Sequence, residues 1–140
     1  MARAAITQEL YCEVKDEAGL LGRITSAMAL EGVYIVHMSA DSINGTGVLH
    51  LITKDNVKAK KAIGYFIPQI QEREVLVVEF ENRVGTLAPV AKVLGQNNIL
   101  IKQVFGTSGD GFKITGVFST SDNARAAELI NKDSGSLGLK

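Results

Sequence analysis

The 140-residue sequence predicts an α+β fold made of two ferredoxin-like βαββαβ units in tandem, each an antiparallel sheet covered by helices on one face. First, the chain repeats itself without a gap at an offset of 66 residues, so that Gly19 lies over Gly85 and residues 44–45 lie over residues 110–111. Second, segments of strand periodicity alternate with segments of helical periodicity. Third, Asn-Gly and Asp-Gly dipeptides mark a β-hairpin in each repeat.

The first strand and the first helix of each repeat are predicted from periodicity. Leu10, Cys12 and Val14 alternate with polar or aromatic neighbours, which is typical of a half-buried strand. The helix that follows ends at Gly32 in the first repeat and at Asn98 in the second, because both residues tolerate the left-handed conformation after a helix. The apolar stripes of the two helices are Leu21, Ile24 and Met28 in the first repeat and Leu87, Val90 and Leu94 in the second.

A β-hairpin and a second helix follow in each repeat. Asp55 and Asp122 stand where each would cap the amino terminus of the second helix. The four hairpin strands are expected at residues 33–43, 46–53, 99–106 and 112–119. The apolar faces of the second helices are Ala59, Ala62, Ile63 and Phe66 in the first repeat and Ala126, Leu129 and Ile130 in the second.

The predicted domains are residues 8–73 and 74–132, followed by a tail at 133–140. Residues 67–73 close the first repeat as a fourth strand, and residues 74–81 open the second at once, which leaves no room for a flexible linker. The second repeat is expected to have a short or missing fourth strand, because its tail is polar and rich in glycine.

Composition and charge exclude several classes of protein. Fifteen basic and fifteen acidic side chains give a formal charge of zero, so no basic face for nucleic acid is expected. The longest stretch without a charged residue, 42–53, is well short of the roughly 18 residues that span a bilayer. A single cysteine, Cys12, allows no internal disulfide, and the sequence begins without an apolar leader. We therefore expect no membrane segment and a cytoplasmic protein.

Groups that could support catalysis or bind a metal are few. Cys12 occupies an apolar position in a predicted strand, where a buried and inert thiol is the usual outcome. His37 and His50 lie on the two strands of the first hairpin, and any pairing in which the numbers of opposed residues sum to an odd number places both on one face, where they could bind zinc or nickel. The alternative is two histidines on an exposed or dimer-packed sheet face, since no third ligand stands at a defined spacing. The sequence has no phosphate-binding loop or nucleophile elbow. We expect no enzyme, no cofactor and no metal.

The turn from the first strand into the first helix is the most distinctive feature of each repeat. Gly19 and Gly85 stand there, beside the free N–H groups and the positive dipole end of a helix. Because glycine has no Cβ, a ligand could approach the backbone closely, and such a position suits a carboxylate. The alternative is that each glycine merely relieves strain in a tight loop.

These residues resemble the signature of ACT domains, small regulatory modules that bind amino acids. Residues 16–21 followed by residues 32–35 resemble it in the first repeat, as residues 81–87 followed by 98–101 do in the second. The resemblance implies a ligand between the strand-to-helix loop of one domain and the second strand of a neighbour, and domains that pair side by side. The implied ligand-binding residues are Asp16, Glu17, Ala18, Gly19, Leu20 and Tyr34 in the first repeat and Asn82, Arg83, Val84, Gly85, Thr86, Leu87 and Leu100 in the second.

Some positions depart from the pattern of serine-binding members of that family. Their histidine two residues before the loop's asparagine or aspartate is replaced by Val14 and Phe80, and an asparagine in the second strand is replaced by Tyr34 and Leu100. The resemblance therefore does not favour serine. A larger or branched apolar side chain would fit these residues better.

Charge separates the two loops. Asp16 and Glu17 would repel a carboxylate, so Asp16 is expected either to cap the helix or to bind an ammonium group. Asn82 and Arg83 offer a neutral amide and a guanidinium, so we expect the second loop to take the ligand's carboxylate. The alternative is that Arg83 is a solvated surface charge.

The leading hypothesis is a non-enzymatic regulatory protein that binds a small amino acid between ACT-type domains and signals to a partner or to its own assembly. The alternative is a structural pairing module, or a regulatory subunit of an amino-acid biosynthetic enzyme without its own ligand. A homodimer is expected in either case, through apolar residues on sheet faces or edges. The residues expected to mark that surface are Tyr11, Val75, Val77 and Val117.

Overall fold

The computed structural model describes residues 2–108 and 111–132, which form six strands and four helices. The pairs β1–β3, β2–β3, β4–β6 and β5–β6 are all antiparallel. The predicted α+β class is therefore confirmed. In chain order the elements are β1 (Arg3–Lys15), α1 (Leu20–Leu30), β2 (Ile35–Ile43), β3 (Thr46–Thr53), α2 (Asn56–Ile63), β4 (Ile70–Glu81), α3 (Leu87–Gln96), β5 (Ile101–Ser108), β6 (Lys113–Thr120) and α4 (Asn123–Lys132).

The chain folds as two compact units whose boundaries fall inside strands. The first unit is Gln8–Arg73, and the second joins residues 1–7 to residues 74–140. Strands β1 and β4 each run through a boundary without interruption. The second unit is thus assembled from two separate stretches of chain. The predicted tail at 133–140, and any fourth strand within it, lie outside the described residues.

The first unit has the strand order β2-β3-β1-β4. Leu10 of β1 is opposite Leu51 of β3, and Cys12 is opposite Leu49, so these four side chains share one face of the sheet. Helices α1 and α2 cover that face. Their buried residues Ile24, Met28, Ala59, Ala62 and Ile63 join the same hydrophobic core as the strand residues.

The second unit has the strand order β1-β4-β6-β5, with the beginning of β1 as its edge strand. Ala4 is buried in the same core as Leu76 and Phe118. The side chain of Asn131 at the end of α4 holds this edge, because its Nδ2 donates to the carbonyl of Ala4 at 2.9 Å and its Oδ1 accepts from the N–H of Ala4 at 2.8 Å. Residues near the start of the sequence therefore complete the sheet of the second repeat.

The predicted helical stripes are wrong by one residue at their first position. In α1 it is Leu20 that is buried, while Leu21 is 42% exposed. At the start of α3 it is Thr86 that is buried, while Leu87 is 51% exposed. Two neighbouring residues compete for the inward position, and the left-handed glycine that precedes each helix sets the direction in which the helix begins.

The helix ends follow the prediction and explain why the next strands start late. Gly32 and Asn98 adopt the left-handed conformation, with φ of 70° and 58°. The N–H of Val33 then donates to the carbonyl of Met28 at 2.9 Å, which completes the end of α1. The equivalent N–H of Ile99 does the same for α3, and strands β2 and β5 begin two residues later than predicted.

The second helix of each unit begins with a repeated Thr-x-Asp-Asn motif. In the first unit Asp55 caps α2 by accepting from the N–H of Lys58 at 3.0 Å, as predicted. Asn56 accepts from the hydroxyl of Thr53 and donates to the carbonyl of Gln8 at 3.2 Å, which ties the helix to β1. The second unit has the same bonds at the equivalent residues, which are Thr120, Asp122, Asn123 and Glu74. Helix α2 ends at Ile63, so Phe66, predicted on its apolar face, lies beyond it.

The repeat is not gapless. The turn between β2 and β3 is the predicted one, with φ of 51° at Asn44 and 85° at Gly45. The strand pairing places Lys15 opposite Thr46 but Glu81 opposite Lys113, so the second hairpin holds one more residue than the first. The offset between the repeats is therefore 66 residues before the turn and 67 after it. The sequence alone does not show this insertion, because the turn dipeptides at 44–45 and 110–111 still match at an offset of 66.

Candidate functional site

The first strand-to-helix loop, residues 16–19, is held by backbone hydrogen bonds. The N–H of Asp16 donates to the carbonyl of Gly45 at 3.0 Å, which joins the loop to the β2–β3 turn. Gly19 has φ 84°, and Leu20 begins α1 with its N–H on the carbonyl of Glu17 at 3.2 Å. The left-handed conformation at residue 19 is one that glycine adopts without a steric penalty.

The acidic side chains of this loop do not cap α1. Gly19 precedes the first residue of the helix, and no side-chain hydrogen bond caps the helix there. Asp16 instead accepts a hydrogen bond from the hydroxyl of Ser42, and Glu17 lies 3.6 Å from the guanidinium of Arg23. Of the two roles expected for Asp16, capping is therefore wrong, and binding of an ammonium group stays a prediction.

A cavity of about 240 Å³ opens beside this loop. Its floor is apolar and is formed by β1, β3 and the buried side of α1. Its rim carries three carboxylates, from Asp16, Glu17 and Asp41, and one ammonium group, from Lys15. The lining residues are Val14, Lys15, Asp16, Glu17, Leu20, Leu21, Ile24, Ala40, Asp41, Ser42, Gly47 and Leu49.

The second strand-to-helix loop, residues 82–86, has a left-handed glycine at the equivalent position and different side-chain contacts. Gly85 has φ 86°, and the hydroxyl of Thr86 lies 3.3 Å from the carbonyl of Arg83. Asn82 donates from Nδ2 to the carbonyl of Gly111 at 3.1 Å. Arg83 Nε lies 2.7 Å from a carboxylate oxygen of Glu81. The polar groups expected to receive a carboxylate are therefore already engaged within the unit.

The remaining residues of the implied site are mostly exposed. Val84 is 99% exposed, and Ala18 is also at the surface. Tyr34 and Leu100 occupy equivalent positions just before β2 and β5 and are 63% and 64% exposed. The ammonium group of Lys54 lies 5.0 Å from the centre of the Tyr34 ring. Each unit thus carries exposed apolar side chains near its loop.

The residues predicted to mark a dimer surface do not form an exposed apolar patch. Val75 and Val117 are buried, and Tyr11 and Val77 are half-buried. The guanidinium of Arg73 also lies 3.5 Å from the centre of the Tyr11 ring. Strand alternation alone does not show which faces of a sheet are covered, so the prediction is wrong for Val75 and Val117.

Cys12, His37 and His50 are the residues that the sequence singled out as possible catalytic or metal-binding groups. Burial raises the pKa of the Cys12 thiol to about 11, so the thiol is protonated at neutral pH. Burial also lowers the pKa of His37. His50 is buried with its Nδ1 2.9 Å from a carboxylate oxygen of Glu9. Among residues 2–108 and 111–132, no group of three or more potential metal ligands occurs.

The sequence reasoning missed Gly47, Asp41 and Ser42, which belong to the wall of the cavity. A glycine inside a strand often marks a place where other groups approach closely, and Gly47 carried that signal. The contributions of Asp41 and Ser42 depend on how β2 pairs with β3, which the sequence did not reveal.

Comparison with known proteins identifies the fold. No family model matches the sequence, and no curated protein matches it significantly. Among solved structures, a protein of Bacteroides thetaiotaomicron is similar with a TM-score of 0.85 at 20% identity, over 94% of this chain and 90% of that one. The regulatory subunit of aspartate kinase from Thermus thermophilus, in a ligand-free form, gives a TM-score of 0.62 at 12% identity, over 90% and 95% of the two chains.

A second aspartate kinase regulatory subunit, from Thermus flavus, gives a TM-score of 0.65 at 12% identity, over 96% of both chains. The chain therefore has the fold of tandem ACT-type regulatory domains, as the sequence resemblance predicted. No helix among the described residues is long and apolar enough to cross a membrane.

Proposed function

We propose that this protein is a non-enzymatic regulatory protein that binds a small amino acid at an ACT-type unit. Binding would be transmitted to the protein's own assembly or to a partner enzyme of amino-acid metabolism. Two of the structures with the same fold are regulatory subunits of aspartate kinase, which supports the regulatory part of the proposal.

The observation that carries the proposal is the cavity beside the first loop. An α-amino acid combines an ammonium group, a carboxylate and a side chain. Asp16 and Asp41 would bind the ammonium group, and the apolar floor around Ile24 would receive the side chain. A volume of about 240 Å³ lies below the roughly 300–1,000 Å³ typical of sites for drug-sized molecules, which favours a small metabolite.

The carboxylate has two candidate partners. At the start of α1, the N–H of Leu20 is bound to the carbonyl of Glu17, and the other N–H groups of the first turn can receive an anion. The second loop offers the guanidinium of Arg83, whose Nε lies 2.7 Å from a carboxylate oxygen of Glu81. That the second loop takes the carboxylate stays a prediction. An interface between an ACT-type unit of one chain and a unit of a second copy would bring such groups together.

A thermal-shift panel of the twenty amino acids tests the proposal. A ligand present at about 100 times its dissociation constant should stabilise the protein by roughly 2.7 kcal/mol, a rise in melting temperature of order 2–4 °C. Asp16→Asn should weaken the effective ligand by about tenfold or more, because it removes a charge-assisted bond to the ammonium group. Arg83→Gln tests the carboxylate assignment in the same way.

Asp55→Asn is the matched control, since asparagine caps a helix as well as aspartate and residue 55 does not line the cavity. It should keep the full response. No melting shift with any of the twenty amino acids would contradict the proposal and favour a module that only pairs subunits.

The pairing module is the second candidate, and the edge strands favour it. Met38 on β2 is 39% exposed although it is opposite Leu51 of the core, so it lies on the helix-covered face at the open edge of the first unit. Val104 on β5 is exposed in the same way, opposite Phe118, in the second unit. An edge strand with exposed apolar side chains is prone to pair with another strand.

A further inference from the structure

The cavity of the first unit is lined on one side by a residue without a side chain, Gly47. Gly47 of β3 is directly opposite Val14 of β1. A Cβ at position 47 would lie 3.0 Å from Cγ2 of Val14 and 3.3 Å from Oδ1 of Asp16. A larger side chain would extend into the space between β1, β3 and α1. The backbone at Gly47 is not left-handed, so strain does not explain the glycine.

The equivalent pair in the second unit is bulky. Phe80 of β4 is opposite Ile114 of β6, where the first unit has Val14 opposite Gly47. Phe80 is buried in the core of the second unit, and Ile114 packs against that core. Their side chains therefore occupy the space that stays open in the first unit.

A glycine elsewhere in the second unit makes room for this aromatic packing. A Cβ at Gly116 would lie 3.1 Å from Cε2 of Phe80 and 2.9 Å from Cε1 of Phe118. The corresponding position of the first unit, Leu49, carries a full side chain and lines the cavity. The second unit thus has its glycine at residue 116, beside two aromatic rings, and the first unit has its glycine at residue 47, beside Val14 and Asp16 in the wall of the cavity.

We propose that the cavity beside the first strand-to-helix loop is the ligand pocket of this protein, that Phe80 and Ile114 fill the equivalent position of the second unit, and that Gly47 and Val14 determine this difference. This inference rests on the proposed function for its biological meaning. The pocket accepts a primary ammonium group attached to a compact, branched apolar group. The equivalent residue of the second unit is Ile114, so Gly47→Ile should close the pocket.

The chemistry of the wall defines this class of ligand. Three carboxylates and one ammonium group give the rim a net negative charge, and the Arg23 guanidinium partly offsets Glu17. A cationic headgroup is attracted to such a rim, and a ligand whose only charged group is a carboxylate is repelled. Leu20, Ile24 and Leu49 provide the apolar floor.

Two small probes test the inference on the full chain without knowledge of the natural ligand. Isobutylammonium and isobutyrate have the same branched apolar group and opposite charges. In two-dimensional ¹⁵N–¹H spectra, millimolar isobutylammonium should shift the amide signals of Gly19, Ser42 and Gly47, and isobutyrate should leave them in place. Ile114→Val, a mild change at the equivalent position of the second unit, should respond like the parent.

Gly47→Ile should weaken the response to isobutylammonium by about tenfold or more, because the added side chain fills the pocket. If that variant does not fold, Gly47→Ala should weaken the response, and Gly47→Ala combined with Val14→Ala should restore it by returning the lost space. Shifts caused equally by both probes, shifts confined to residues of the second unit, or a full response in folded Gly47→Ile would overturn the inference. A specific response to isobutylammonium with no response to any of the twenty amino acids would support the inference and contradict the proposed function.

Discussion

Asn131 and Ala4 form two reciprocal hydrogen bonds in which a side-chain amide pairs with the backbone of a β-strand as a neighbouring strand would. Asn131→Asp keeps an oxygen for the N–H of Ala4 but removes the donor to its carbonyl. An unsatisfied, partly buried carbonyl beside a carboxylate should lower the free energy of unfolding by about 1–3 kcal/mol, measured by urea denaturation. Glu128→Gln, on the exposed side of the same helix, should change it by less than about 0.5 kcal/mol. Equal stability of the two variants would show that this pairing does not hold the strand.

Replacement by alanine should lower the stability of the protein at Gly19 and at Gly85 but raise it at Gly95. The first two have φ of 84° and 86°, and no atom lies within 4 Å of the position that a Cβ would occupy. Their replacement should therefore cost about 1–2 kcal/mol each, from the backbone conformation alone. Gly95 lies in α3 with equally open space, so Gly95→Ala should stabilise the protein by about 0.5–1 kcal/mol. Thermal denaturation without ligand gives all three values, and a stabilising Gly85→Ala would refute the assignment of a left-handed loop.

Because the Cys12 thiol is buried, the free energy of unfolding should fall at alkaline pH. Its pKa rises from 9.0 to about 11 because the folded protein buries it, so the unfolded chain loses this proton at lower pH than the folded one. Stability should therefore fall as the pH rises from about 9 to 11, by about 2–3 kcal/mol in total. Since lysines and tyrosines titrate in the same range, the measurement is the difference between the parent and Cys12→Val. Parallel stability curves for the two proteins between pH 8 and 11 would contradict the burial effect.

Met38 should contribute to dimerisation if the first unit pairs through its open edge. Met38→Lys introduces a charge on that edge, which should reduce the dimer fraction measured by light scattering across a dilution series. Val57→Lys places the same charge at an exposed apolar position on α2 and should leave the dimer intact. A particle of 15.0 kDa for the parent at all concentrations would remove the dimer from the proposal.

Local signals in the sequence predicted most of the fold. The left-handed residues Gly32, Asn44 and Asn98 and the helix cap at Asp55 depend on a few neighbouring residues, and each is found where expected. The inward position at the start of α1 was missed, because Leu20 and Leu21 are both leucines and only the geometry of the preceding loop decides between them.

The candidate site was only partly predictable, because it depends on which residues face each other across strands. The loop at Gly19 was identified from its sequence alone. The cavity beside it depends on the pairing of Val14 with Gly47, and its counterpart on the pairing of Phe80 with Ile114. A gapless alignment of the repeats matches Gly47 with Lys113, so the one-residue insertion in the second hairpin concealed this comparison.

The edge strand at Ala4 also affects the order in which the two units can fold during synthesis. During synthesis, Ala4 of this edge leaves the ribosome 127 residues before its partner Asn131. Helix α4 must therefore be available before the second sheet can close, while the contacts of residues 8–73 are all present much earlier. Contacts between such distant parts of a chain slow folding. The nascent protein should then pass through a stage in which the first unit is folded and the second still exposes the edge of β4, and a chaperone or a premature neighbour would bind at that edge.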